Sequence, residues 1–489
     1  MGIFKKLASE TAIYGLSSIV GRFLNYLLVP FYTYHFSAAE YGVVSEFYAY
    51  AGFFSVLLVC GFETGYFRFR DKDDGNKDAT YSTALIFIVL LNLIFYAAVV
   101  VLTPELAHTL HYAEHPEYIQ WFAILLALDA SAAIPFARLR AERKALRFAS
   151  IKLVEISITI ALSLFFIAYC PVLSEQNPTS PLLYFYQPSI GLGYVFIANL
   201  TASGIKFLLL LPQFSSLLWG FSLPIFIRLS RYSLPMAVVG FAGVINEMLD
   251  RTLLKYLLPY SLEINMQQLG IYSACYKLSI LMTLFIQAFR YAAEPFFFNY
   301  ADATDAKKVY ATVLTYFVMF CMFIFLVITL FLNVFHYFIG EEYRSGLVVV
   351  PILLLANVFL GIYINLSIWY KLTNKTLLGA SIAVLGALLT ISLNSWWIPL
   401  FGYVGSAWAT LACYLSMTLI SYFLGQKHYP VAYEIKRISS IIALGVGLVL
   451  AKKFVLLDSP YADWQLSVAL LTIFLLTMML LEKRRWSKP

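Results

Sequence analysis

The chain has 489 residues, of which 61% are hydrophobic and only 12% charged, about half the roughly 25% charged share of a soluble domain. A surface so apolar cannot be covered in water, so lipid must be the solvent. The net charge of +7 does not point to nucleic acid, because Lys and Arg fall in short stretches between apolar runs and leave no long basic segment for a nucleic acid to lie along.

A membrane helix needs about 20 mostly apolar residues. Fourteen stretches meet this, at 10–34, 42–67, 80–103, 118–138, 148–170, 190–212, 231–257, 270–297, 309–333, 346–370, 377–397, 402–424, 438–457 and 464–482. No stretch sustains the alternation of a membrane barrel. The predicted class is therefore an all-α membrane protein of about 14 transmembrane helices. Lys5 and Lys6 precede the first apolar run, with no short apolar core and small-residue cleavage site. That run is expected to stay as a helix.

Loop charge tests the count. The connections 35–41, 104–117, 171–189, 258–269, 334–345, 398–401 and 458–463 are nearly empty of Lys and Arg. The alternate ones are rich: Arg68, Arg70, Lys72 and Lys77; Arg138, Arg140, Arg143, Lys144, Arg147 and Lys152; Arg228 and Arg231; Lys307 and Lys308; Lys371 and Lys375; Lys427, Lys436 and Arg437; and the tail Lys483, Arg484, Arg485 and Lys488. Arg344, Lys452 and Lys453 are the exceptions. By the positive-inside rule both termini are cytoplasmic, and a missed or invented helix would break the alternation.

The chain also repeats. Tyr41-Gly42-Val43-Val44-Ser45 resembles Leu269-Gly270-Ile271-Tyr272-Ser273, and the Lys144–Ile151 stretch resembles Lys375–Ile382. Gly191–Leu200 aligns with Gly402–Leu411. A unit of six helices keeps its orientation on duplication, so the halves are parallel repeats about an axis along the membrane normal. The expected division is an N-terminal lobe at 1–212, a cytoplasmic linker at 213–230, a second lobe at 231–426, and two extra helices with a basic tail at 427–489. Residues 171–189, with Pro171, Pro178, Pro181 and Pro188, form an outside insertion without a counterpart.

A charge at the bilayer centre costs about 2.5–3.5 kcal/mol on insertion scales, so such residues usually face a cavity. The candidates are Arg22 and Asn25 in the first helix, Glu46 in the second, and Asp129 in the fourth. Helix seven adds Asn246, Glu247, Asp250 and Arg251, and helix eight adds Lys277, Gln287, Arg290 and Glu294. They concentrate in helices one, two, seven and eight, which a central substrate cavity would require. A purely structural reading pairs Glu247 with Arg251 and Arg290 with Glu294, each at i,i+4. It also lets Arg68, Arg138, Glu155 and Lys206 snorkel from cytoplasmic helix ends.

Other motifs carry less. Asp71-Lys72-Asp73-Asp74 holds the DxD of metal-dependent glycosyltransferases but has no nucleotide-binding domain behind it, so a solvated loop is expected. His108, His111 and His115 share a helical face without a carboxylate pattern for a metal. The five cysteines, Cys60, Cys170, Cys275, Cys321 and Cys413, form no CxxC or Cys/His cluster. No phosphate loop occurs, so ATP is not expected to drive the protein directly. No metal or cofactor is expected, and whether H+ or Na+ serves as coupling ion is left open.

Certain motifs in order resemble the polysaccharide-biosynthesis (O-antigen type) flippases of the multidrug/oligosaccharidyl-lipid/polysaccharide exporter superfamily. They are Ser37-Ala38-Ala39-Glu40-Tyr41-Gly42, Gly61-Phe62 ahead of Tyr66-Phe67-Arg68, Asp250-Arg251 before Leu269-Gly270-Ile271-Tyr272, Ala293-Glu294-Pro295, and Gly402 through Ala407. The resemblance spans essentially the whole chain. It implies two lobes around a cavity that opens alternately inward and outward in the bacterial inner membrane. The implied substrate is an undecaprenyl-pyrophosphate-linked oligosaccharide, with a polysaccharide polymerase and chain-length machinery as partners besides membrane lipid. It also implies that the last two helices line the lipid tail, as in related lipid II flippases. Pyrophosphate would need Arg or Lys in a low-dielectric cavity. Two rival readings are a cation-coupled multidrug antiporter of the same superfamily and a membrane glycosyltransferase or polymerase.

Overall fold

A computed structural model describes residues 20–70, 77–215, 220–455 and 460–486. Lys5, Lys6, the Asp71–Asp74 motif and Lys488 lie outside the described residues, as do the side chains of Arg484 and Arg485. Every regular element among the described residues is helical, because in lipid each backbone group must be satisfied within its own segment.

In chain order the first half holds α1 (residues 20–35), α2 (Ala38–Val59), α3 (Phe62–Phe69), α4 (Lys77–Thr109), α5 (Pro116–Ser131), α6 (Ala133–Ala141) and α7 (Ala145–Ser163). A π-helical turn, Leu164–Tyr169, leads to α8 (Cys170–Gln176), α9 (Gly193–Phe214) and α10 (Leu223–Leu257). The second half holds α11 (Leu262–Leu278), α12 (Ile280–Asn299), α13 (Ala306–Leu330), α14 (Leu332–Phe335), α15 (Val349–Leu366), α16 (Ile368–Leu372), α17 (Thr376–His428), α18 (Ile435–Phe454) and α19 (Pro460–Trp486). From residue 223 onward the expected linker is already helical.

Ten helices among the described residues are long and apolar enough to cross a membrane, or eleven if α11 and α12, bent by 47° at Ser279, form one broken span. The fourteen-stretch reading is compatible with this. Two of its stretches fall inside α17, whose 53 residues would extend about 80 Å if straight, at 1.5 Å per residue, against a hydrocarbon core of about 30 Å. Gly402 breaks it, with φ 61° and ψ −147°, a conformation open to glycine.

The repeat is written in the backbone. Gly191, which opens the matching stretch of the first half, also has positive φ, at 49°. Arg143 and Asn374, each just ahead of a matched Lys motif, share a φ of 56°. Equivalent sequence thus makes the same turn twice.

The chain divides into two compact units, Met1–Phe36 with Val43–Thr252, and Ser37–Gly42 with Leu253–Pro489. In the first, Phe62, Tyr66, Tyr81, Leu85 and Ile88 form a buried core with Ile134 and Leu229, and Phe136, Leu139, Phe148, Ile151 and Leu210 form another. In the second, the short Ser37–Gly42 segment lies against α11. A Cβ on Gly270 would stand 1.8 Å from the Ala38 carbonyl oxygen, and one on Gly42 would stand 2.2 Å from that of Met266. Only glycine allows so close a backbone approach.

Ion pairs near both ends fasten α18 and α19 to α13. Arg437 bonds Glu434 at 2.9 Å and also Glu482, which accepts from Tyr316 at 2.9 Å. At the other end Lys452 bonds Asp463 at 3.0 Å and the Leu330 carbonyl at 2.6 Å. The extra helices are therefore an integral part of the second unit.

Candidate functional site

Among the polar clusters of the described residues, one in each unit bears on the candidate site. In the first unit, α9 carries Asn199, Ser203, Lys206 and Leu210 at helical spacing, which brings the three polar groups onto one face. Lys206 does not reach toward an aqueous boundary, as snorkelling would require; its side chain is 3% exposed. Its Nζ donates to Asp129 on α5 and to Glu155 on α7, both at 2.6 Å. Ser203 Oγ donates to the same Asp129 oxygen at 2.6 Å, and Lys152 donates to Glu155 at 3.0 Å. Two lysines and two carboxylates form a closed chain with no net charge. Burying Lys206 is tolerable only because both neighbours are anions. Asp129 thus belongs to an ionic network that holds α5, α7 and α9 together.

Glu46, on α2, is fully buried. It accepts from Tyr112 at 2.6 Å and also from Tyr50. Arg22 and Asn25 are exposed on α1. On α10, Asn246, Asp250 and Arg251 are buried, whereas Glu247 is exposed. The expected i,i+4 pairing of Arg251 with the Glu247 carboxylate does not form. Arg251 bonds the Glu247 backbone carbonyl at 2.7 Å and lies 3.6 Å from the Asp250 carboxylate. The arginine meets its own helix instead of reaching along it.

The second gathering lies entirely in the second unit, on the core built by Ala293, Phe297, Ala306, Tyr310 and Ile368. A small recess there is lined by Arg290 and Glu294 of α12, Ile364 and Asn365 of α15, Ser367, and Lys371 of α16, with Phe289 and Phe297 beside them. The sequence suggested that Arg290 and Glu294 neutralise each other. Glu294 instead pairs with Lys371 at 2.6 Å, a residue that loop charge placed on the cytoplasmic side. Arg290 is exposed, and among the described residues no carboxylate pairs with it. The recess therefore holds two cations against one anion. Asn365 donates to the Gly361 carbonyl at 3.1 Å, while its buried Oδ1 has no partner among the described residues.

Lys277, at the last turn of α11, and Gln287, on α12, are half-buried and do not line this recess. The sequence reading takes Lys371 only as a loop cation and passes over Asn365, a single uncharged polar residue within the apolar stretch 346–370. The signal for Lys206 was present in the i, i+4, i+7 spacing of Asn199, Ser203 and Lys206. Of the three loop histidines, His115 bonds Glu117 at 2.9 Å and stacks on Tyr118.

Residues 36–172 match the family model described as polysaccharide biosynthesis protein. No curated protein matches. Among solved structures the chain is similar to a lipid II flippase in an inward closed conformation, at 15% identity and TM-score 0.67, over 94% of this chain and 97% of that one. It is also similar to a multidrug resistance transporter in inward-facing and outward-facing conformations. Those matches are at 12% and 13% identity, each with TM-score 0.61 over 88% of this chain, and cover 95% and 96% of the other. The resemblance read from the sequence is thus supported from two directions: this is a multi-pass helical membrane protein with the fold of the multidrug/oligosaccharidyl-lipid/polysaccharide exporter superfamily, and its first third carries a polysaccharide-biosynthesis signature.

Proposed function

We propose that the chain is a flippase. It carries an undecaprenyl-pyrophosphate-linked oligosaccharide from the cytoplasmic to the outer leaflet of the bacterial inner membrane by alternating access, for surface polysaccharide assembly. Both termini are cytoplasmic in this reading, and the product passes to a polymerase. The observation that carries it is the cationic excess of the second-unit recess. Glu294 is engaged by Lys371, so Arg290 presents a planar, permanently charged fork that no carboxylate among the described residues satisfies. A phosphorylated headgroup supplies that anion, whereas a cationic drug would be repelled. The polysaccharide-biosynthesis match at 36–172 points to the same substrate class.

The test is reconstitution into vesicles loaded with a lipid-linked oligosaccharide, with outward movement followed by exposure of the sugar to an external lectin. Arg290→Gln should slow movement about tenfold or more, the loss of one charge-assisted contact, while still inserting normally. Efflux of a cationic dye without sugar movement would favour the antiporter. Turnover of a sugar nucleotide would favour the enzyme.

A further inference from the structure

We infer that Glu294 is a built-in anion holding the phosphate position of the second-unit recess, and that a phosphate ester enters by displacing it from Lys371. This rests on the reading of a phosphorylated substrate. The recess is small and open on one side, and the Glu294 carboxylate bridging to Lys371 occupies the position beside the Lys371 ammonium that a phosphate would take. The bridge is short, at 2.6 Å, yet its side chains are 38% and 29% exposed. An ion pair so open to solvent is weak, and an incoming dianion can replace a single carboxylate.

With Glu294 turned outward, two cations face the space from different helices. Arg290 lies one helical turn before Glu294 on the same side of α12, and Lys371 reaches in from α16. A pyrophosphate esterified at both ends keeps one ionised oxygen on each phosphorus, which matches two cations better than one carboxylate does. The arginine offers up to five N–H donors and the lysine three. The buried acceptor Asn365 Oδ1 asks for the opposite partner, a donor. A sugar hydroxyl next to the phosphate provides one. The recess is thus matched to a phosphate ester bearing a hydroxyl, with cations for the charge and an amide oxygen for the O–H. Glu294 keeps it closed to weaker anions.

The experiment measures binding of inorganic pyrophosphate, and separately of farnesyl diphosphate, by calorimetry on the full chain in phosphatidylcholine nanodiscs. Glu294→Gln should tighten both about two- to fivefold, the affinity returned when a weak internal competitor is removed. Arg290→Gln and Lys371→Gln should weaken both about tenfold or more. Tightening seen with farnesyl diphosphate assigns the site to a lipid headgroup. Tightening with pyrophosphate alone assigns it to a soluble phosphate and still supports displacement. Unchanged or weaker binding by Glu294→Gln, with Arg290→Gln and Lys371→Gln still impaired, would overturn the competitor role and leave the phosphorylated-substrate reading intact. Absence of binding by every form, each with a wild-type melting curve, would overturn both.

Discussion

Replacing Lys206 with methionine tests the electrostatic design of the first unit. The substitution keeps roughly the length of the side chain but removes the cation bridging Asp129 and Glu155, each at 2.6 Å. Removing one partner of a buried ion pair costs about 3–5 kcal/mol, because a charge is left without compensation. Two features place this case near the lower bound. Glu155 keeps Lys152 at 3.0 Å. Asp129 keeps the Ser203 hydroxyl at 2.6 Å, and its side chain is 45% exposed, so water can reach it. The expected loss is therefore about 3 kcal/mol, read as an earlier unfolding midpoint of the purified protein in detergent. Lys206→Met combined with Asp129→Asn and Glu155→Gln should recover most of it, because neutral amides leave no buried charge stranded. A Lys206→Met protein as stable as wild type, or a triple variant no better than the single one, would refute the reasoning.

Two further substitutions probe other parts of the fold. Glu142, between the spans Pro116–Ala141 and Ala145–Gln176, has its carboxyl raised by burial but lowered more by hydrogen bonds from Lys144 and Arg138, so its net position is below the ordinary 4.5. A depressed carboxyl contributes stability above its unfolded value and loses it as pH falls through the folded one. Glu142→Gln should thus cost about 1 kcal/mol at pH 7, with the gap closing in acid; a gap that widens in acid would contradict this. Gly270→Ala places a methyl group 1.8 Å from the Ala38 carbonyl, where no flexible side chain can yield. It should exceed the usual overpacking cost of about 1–3 kcal/mol and reduce the yield of folded protein; a wild-type melting curve would show that the backbones do not meet there.

Much of the fold was legible because membrane segments announce themselves by length and hydropathy. Even an exception to the charge rule has a local account: Lys452 is engaged by Asp463 and the Leu330 carbonyl. What escaped detection was set between helices. The break at Ser279 carries neither Pro nor Gly; the buried serine folds its hydroxyl back to the Tyr276 carbonyl at 2.7 Å, and apolar composition runs on across it. Glu294 was paired with Arg290 because an i,i+4 rule sees one helix at a time, whereas Lys371, 77 residues away, comes nearer through packing. Lys206 was placed at an aqueous boundary from its position along α9, but the face it occupies turns inward.

The same arithmetic separates the two polar gatherings by charge. In the first unit Lys152, Glu155, Lys206 and Asp129 alternate in sign and sum to zero. An anion arriving there would find each cation already committed at 3.0 Å or less, and buried Lys206 held by two carboxylates at once. In the second unit Arg290, Glu294 and Lys371 sum to one positive charge, and the pair that must open is half-exposed. Burial of Lys206 makes the first arrangement stiff, because a cation removed from water holds to its two carboxylates. Solvent access makes the second exchangeable, because water stabilises whichever charge is released. For the anionic substrate proposed above, the second-unit recess is therefore the more exchangeable of these two clusters.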